Sequence, residues 1–141
     1  MRVVVAICCL AAWFLYIGQF VSVIDFKLAQ RLGLQENPAT TDPIVQPLEI
    51  WVARWDLCWL WTLPAAGILM LIDHAWWPFA AMLGGGAFVD TGGREAAKGF
   101  GLRQHGVSTG SPSENRLATF VFGYFIAVGI LAIVTGLLEV T

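Results

Sequence analysis

Four apolar stretches, residues 3–24, 57–72, 75–89 and 117–138, take up most of this chain, and its charged side chains fall almost wholly between them. Nothing else in the sequence restricts the fold so strongly. A helix of about 20 apolar residues matches the roughly 30 Å hydrocarbon thickness of a bilayer. The first and last stretches reach that length unaided, whereas the middle two need their flanks. Pro78 suits the first turn of a third helix, where its missing N–H would have no partner in any case, and that helix can run through Gly92 and Gly93 to about Lys98. The second can start near Pro47, which carries Arg54 and Asp56 to the membrane interface. The reading is therefore all-α: one domain, residues 1–141, an integral membrane four-helix bundle with helices at about 3–24, 49–72, 76–98 and 117–138. Asp73 and His74 separate the inner two helices, which form a tight hairpin.

Composition agrees with a bilayer as the chain's main partner. Of the 141 residues, 57% are hydrophobic and 13% charged, about half the charged share of an average soluble chain. The formal net charge of −2 gives no electrostatic reason to expect a nucleic-acid partner. A secretory signal is the rival reading of "MRVVVAICCLAAWFLYIGQF", but the run is long and lacks a small-x-small cleavage site, so it is read as a retained helix. A lipoprotein signal fails because Cys8 and Cys9 lie mid-helix after Ile7.

Four spans put the first and third loops on one side. Those loops and their flanks hold Lys27, Arg31, Arg54, Arg94, Lys98, Arg103 and Arg116, with only Arg2 opposite. The positive-inside rule makes that side cytoplasmic and leaves both termini outside the cytoplasm. The first loop opens on "DFKLAQRLGL", expected to continue the first helix along the surface, and "QENPATTDPIVQP" then breaks it. The third loop, "GFGLRQHGVSTGSPSEN", reads as mobile, with Ser113 or Asn115 capping the last helix.

The apolar stretches carry two patterns. Small residues four apart, Ala80 and Gly84, Ala81 and Gly85, Gly123 and Ala127, Ala132 and Gly136, let helix backbones touch in lipid, where the hydrophobic effect does not press helices together. Gly84, Gly85, Gly123 and Gly136 are the expected packing positions, within the chain or against another membrane protein. Seven tryptophans are present. Trp51, Trp55 and Trp59 form a stripe, and Trp76 and Trp77 mark the opposite end. Interfacial anchoring explains both groups, and the stripe is also a surface for a partner, a pigment or a quinone.

The charged residues of the hairpin are the one candidate for chemistry. Helix two begins and helix three ends on one membrane face, so Arg54 and Asp56 meet Asp90, Arg94 and Glu95. Asp90 to Arg94 is an i,i+4 pair and Glu95 to Lys98 is i,i+3. A charge at this depth needs a partner or water, so the expected arrangement pairs Arg94 with Asp56 or Glu95, and Arg54 with Asp90. Such a cluster fixes the ends of the hairpin, or binds a ligand or a proton. No catalytic residue is assigned. "VDTGG" spells the Asp-Thr-Gly of pepsin-like enzymes once only, and it leads into the helix-forming "REAAK", whereas that chemistry needs two aspartates in a β-rich frame. His74 and His105 fall on opposite faces, so no metal site is expected. Cys8, Cys9 and Cys58 contain no C-x-x-C, which argues against a thiol oxidoreductase of the vitamin K epoxide reductase type, and all three read as small buried apolar residues.

The order of a first helix, "LAQRLGL", a second helix after an Arg, and a third carrying "GGRE" resembles the DoxX-like small four-helix bacterial membrane proteins, some of which accompany quinone-linked sulfur oxidation. The resemblance covers most of the chain and implies the four-helix bundle. Two roles are expected. One is a non-catalytic subunit or assembly factor of a larger inner-membrane complex, associating with other membrane proteins or with itself and needing no cofactor. The other is a quinone- or lipid-binding component of a redox or transport system, with the head group by Arg54 and Arg94 and the tail along Trp55 and Trp59.

Overall fold

The structure, a computed structural model, describes residues 2–141. Its regular elements are helices: α1 (Arg2–Ala11), α2 (Trp13–Ile24), α3 (Phe26–Arg31), α4 (Val45–Trp59), α5 (Thr62–Leu71), α6 (Trp77–Gln104) and α7 (Pro112–Val140). The one extended pairing among the described residues is an isolated bridge between Thr41 and Thr109. By length and composition, Arg2–Ile24 and Pro112–Val140 are apolar enough to cross a membrane.

Local chemistry explains the interruptions. The expected second helix is broken at Leu60 and Trp61, because Pro64 offers no N–H to the Leu60 carbonyl and its ring crowds that oxygen. Side chains take up carbonyls next to the break: Trp61 Nε1–H donates to Cys58 O at 2.9 Å and Thr62 Oγ1–H to Trp59 O at 2.5 Å. Asp25 ends α2 in an extended conformation and its carboxylate caps α3 by accepting from the Leu28 N–H at 3.0 Å. The first helix therefore stops there, and α3 starts afresh with Phe26 and Ala29 buried.

α6 runs past Lys98 to Gln104, so the third loop is shorter than its composition suggests. It is also tied to the first: Asp42 N–H donates to Ser108 O at 2.8 Å and Ser108 Oγ–H to Thr40 O at 2.6 Å. The cap of α7 is Ser111, in a reciprocal capping box with Glu114, rather than Ser113 or Asn115.

α6 and α7 pack antiparallel in steps of seven. A Cβ on Gly136 would meet Pro78 O at 2.7 Å, one on Gly85 would meet Gly129 O at 2.5 Å, and one on Gly92 would meet Phe122 O at 2.7 Å. Positions 78, 85 and 92 thus face 136, 129 and 122, the repeat of helices crossing at a shallow left-handed angle. Gly84 serves the hairpin instead, set against the Leu63 backbone. Gly123 corrects an expectation, because a Cβ there would point into open space. Gly92 and Gly129 are packing glycines that small-xxx-small spacing did not single out.

At one end Arg2 pairs with Asp73 at 2.5 Å and with Glu139, joining the N-terminal helix, the α5–α6 turn and the C-terminal helix. Trp77 is buried here beneath the Arg2 guanidinium, 4.9 Å from its ring, so of the Trp76 and Trp77 pair only Trp76 is exposed. Cys9 is buried, Cys8 half-buried and Cys58 exposed. Cys58 lies on the outward side of α4, beside the tryptophans, and so differs from the buried residue expected.

Candidate functional site

α4 is built inside out. Its buried face carries Val45, Glu49, Ala53 and Asp56, while Trp51, Trp55 and Trp59 are exposed. The seven-residue spacing of Glu49 and Asp56 puts both on one side of a helix, and α6 answers with Thr91, Glu95, Arg94 and Lys98.

Asp56 is 2% exposed and bonded on both oxygens, by Arg94 Nη2 at 2.5 Å on Oδ1 and by Gln19 Nε2 of α2 at 3.4 Å on Oδ2. Arg94 reaches Asp90 at 3.8 Å and Glu95 at 3.9 Å more loosely. Lys98 joins Glu49 at 2.6 Å and Glu95 in the expected i,i+3 contact. The contacts make a line from Asp56 through Arg94, Glu95 and Lys98 to Glu49.

One expected contact differs. Arg54 does not meet Asp90; it lies over the Trp51 ring at 4.7 Å, since its place on α4 is on the tryptophan side. The i,i+4 pair of Asp90 and Arg94 is present at 3.8 Å, with the Asp90 side chain 63% exposed. The buried partner of Arg94 is Asp56.

Glu49, Glu36 and Gln19 escaped the sequence reading. The signal available for Glu49 is its seven-residue spacing from Asp56. Glu36 is placed by the connector before α4, and only the folded chain brings it to a cavity shared with Glu49, Glu95 and Lys98. Burial pushes the Glu36 carboxyl above the ordinary value of 4.5, and the nearby Glu95 and Glu114 carboxylates add to the rise while Lys98 opposes it.

Beside this polar line, α4 and α6 diverge and leave a groove of about 580 Å³. Trp55 and Trp59 form one wall, at 6.0 Å between ring centroids, and Met82 and Leu83 lie on the other. Gly86 lies along it, with nothing within 4 Å of where a Cβ would be. The polar end is Asp56, Asp90 and Arg94. Such a groove suits a molecule with a long apolar part and a small polar head. His74 and His105 stand at opposite ends of α6, about 40 Å apart along a helix of this length, and no group of three or more His, Cys, Asp or Glu side chains with metal-holding geometry occurs among the described residues.

No protein-family model matches the chain, and neither does any curated protein or solved structure.

Proposed function

We propose that this chain is a non-catalytic, multi-pass four-helix protein of a bacterial inner membrane, and that it holds an amphiphile of the quinone or lipid class in the groove between α4 and α6. The groove carries the proposal: two tryptophans and an apolar stretch of α6 lead to a paired aspartate and arginine. The run along α6 from Met82 to Arg94 is about 18 Å, room for a substantial length of tail. A carbonyl or anionic oxygen suits Arg94, and a hydroxyl suits Asp90.

The membrane setting is supported by what faces outward. Phe14, Ile17, Phe20, Trp55, Phe79, Leu83, Phe120, Ile130 and Val134 are all exposed, an apolar perimeter far beyond the isolated patches of soluble monomers. Small residues line the closest helix contacts, at Gly84, Gly85, Gly92, Gly129 and Gly136, and the buried charges Asp56, Glu49 and Glu95 are paired, as expected where lipid is the solvent. The DoxX-like resemblance belongs to the same reading.

Native mass spectrometry after mild extraction tests the ligand. A quinone or one lipid class should be enriched over its membrane proportion, and Trp55→Ala with Trp59→Ala should release it. Recovery of lipids only in bulk proportion, unchanged by the substitutions, would overturn the proposal. The outward Trp51, Trp55 and Trp59 face also favours a second reading, an accessory subunit of a larger complex. Stable partners in mild detergent support it, and a chain that runs alone as a monomer opposes it.

A further inference from the structure

The polar interior holds more negative charge than its cations balance. Arg94 serves Asp56 and reaches Glu95 only at 3.9 Å, and Lys98 makes the close contacts to both Glu49 and Glu95, which are 6% and 8% exposed. Glu36 from the first loop adds a further carboxylate to their cavity. The other charged groups around it are engaged elsewhere. Arg103 of α6 lines the cavity but its Nη1–H donates to Thr109 and Asn115. Glu114 at the start of α7 is held by Ser111 and Thr40, and the rest of α7 presents Ala118 and Phe122 there. Asp90 lies on the groove side, and Arg54 is turned toward Trp51.

A second observation is independent of the charge count. Glu95 spends Oε2 on Lys98, while its Oε1 is fully buried and has no hydrogen-bond partner. Arg94 Nε–H stands 3.9 Å away and is likewise buried without a partner. Glu36 Oε2 is in the same condition. A buried carboxylate with neither a full counter-charge nor its full set of hydrogen bonds is expensive, and such groups neutralise by taking up a proton.

We propose that Glu49, Lys98 and Glu95 form a proton-binding site that carries one exchangeable proton at neutral pH, with Glu36 at its loop-side mouth and the Arg94–Asp56 pair connecting it to the groove. The event is simple proton uptake: one O–H bond forms on a carboxylate, the cluster's charge rises by one, and no electron moves. In the chain's line of contacts, the proton shared over Lys98 lies between the two loops and the polar end of the groove. The site stands whether or not the groove has an occupant.

Infrared spectroscopy of the full chain in nanodiscs tests this. At neutral pH a carboxylic C=O band should be present, shift on exchange into D2O, and move to lower frequency when the protein is grown with ¹³C-glutamate. Glu49→Gln or Glu95→Gln should remove it, Glu139→Gln should leave it, and Lys98→Met should roughly double its amplitude as the second carboxylate also protonates. Absence of the band from folded wild-type protein would overturn the proposal. So would a band indifferent to glutamate labelling, which belongs to an aspartate, or one that survives in Glu36→Gln, Glu49→Gln and Glu95→Gln alike. Isotope labelling of the wild type decides even where a variant does not fold.

Discussion

Asp56 and Arg94 show how burial, rather than spacing, selects partners. Asp90 and Arg94 have ideal i,i+4 spacing, yet they stand 3.8 Å apart with Asp90 open, and the 2.5 Å contact goes to Asp56 on another helix. Arg94→Gln should therefore strand Asp56 and cost about 3 kcal/mol, as in other broken buried pairs, while Asp90→Asn should change stability by less than about 0.5 kcal/mol. Asp56→Asn combined with Arg94→Gln should cost clearly less than the sum of the singles. Thermal unfolding in detergent measures the cycle, and additive losses would show that the pair does not interact. Glu36 makes a separate prediction. Its folded-state pKa lies above the ordinary 4.5, so between these values the folded chain binds a proton that the unfolded chain has released. Stability from this residue is then full below about pH 4.5 and declines as pH rises through the folded value. Glu36→Gln should thus be more stable than the wild type at neutral pH, and a pH series of unfolding midpoints should show the advantage vanish on acidification.

Among the elements, α6 and α7 form the closest contact, and glycines set its spacing. Gly85 and Gly129 each bring their Cα against the other's carbonyl, with 2.5 Å left for any Cβ. Gly85→Ala or Gly129→Ala must push the helices apart, at a cost in the range of about 1–3 kcal/mol. Gly123→Ala fills open space and replaces the poorest helix former after proline, so it should be neutral or stabilising by up to about 1 kcal/mol. Detergent melting curves of the three variants check the contrast, and equal losses at all three would contradict the heptad register. α4 and α5 illustrate a different control. Pro64 turns one expected helix into two, and the break falls directly after Trp59, so the tryptophan wall belongs to α4 and the apolar stretch to α5.

For the whole molecule, two polar clasps mark the ends. Arg2, Asp73 and Glu139 join the termini to the α5–α6 turn, and the Thr40, Thr41, Asp42, Ser108 and Thr109 contacts join the first loop to the third. In a membrane this arrangement puts Arg2 on one side and most of the cationic groups on the other, so the proposed orientation has the loops in the cytoplasm. Alkaline phosphatase fused after Thr141 should be active in cells, and a fusion after Gln104 should be inactive. The reverse pattern would invert the orientation, and activity at both positions would defeat the four-span proposal.

The sequence alone determined the helical class, because runs of apolar residues this long, broken by prolines and polar clusters, leave the backbone few other ways to satisfy its hydrogen bonds. It also placed Arg94 with Asp56 among its alternatives, and Glu95 with Lys98, since these pairings follow from helix periodicity and from which helix ends share a face. Only the tertiary structure decided that Glu49 and Glu36 are interior groups, that Arg54 and Asp90 are not partners, and that Gly92 and Gly129 rather than Gly123 carry the helix contact. Periodicity defines the faces of a helix but not which face a neighbour will cover. On α4 the packing of α2 and α6 covered the carboxylates and left the tryptophans outside, and that choice depends on the joint positions of three helices.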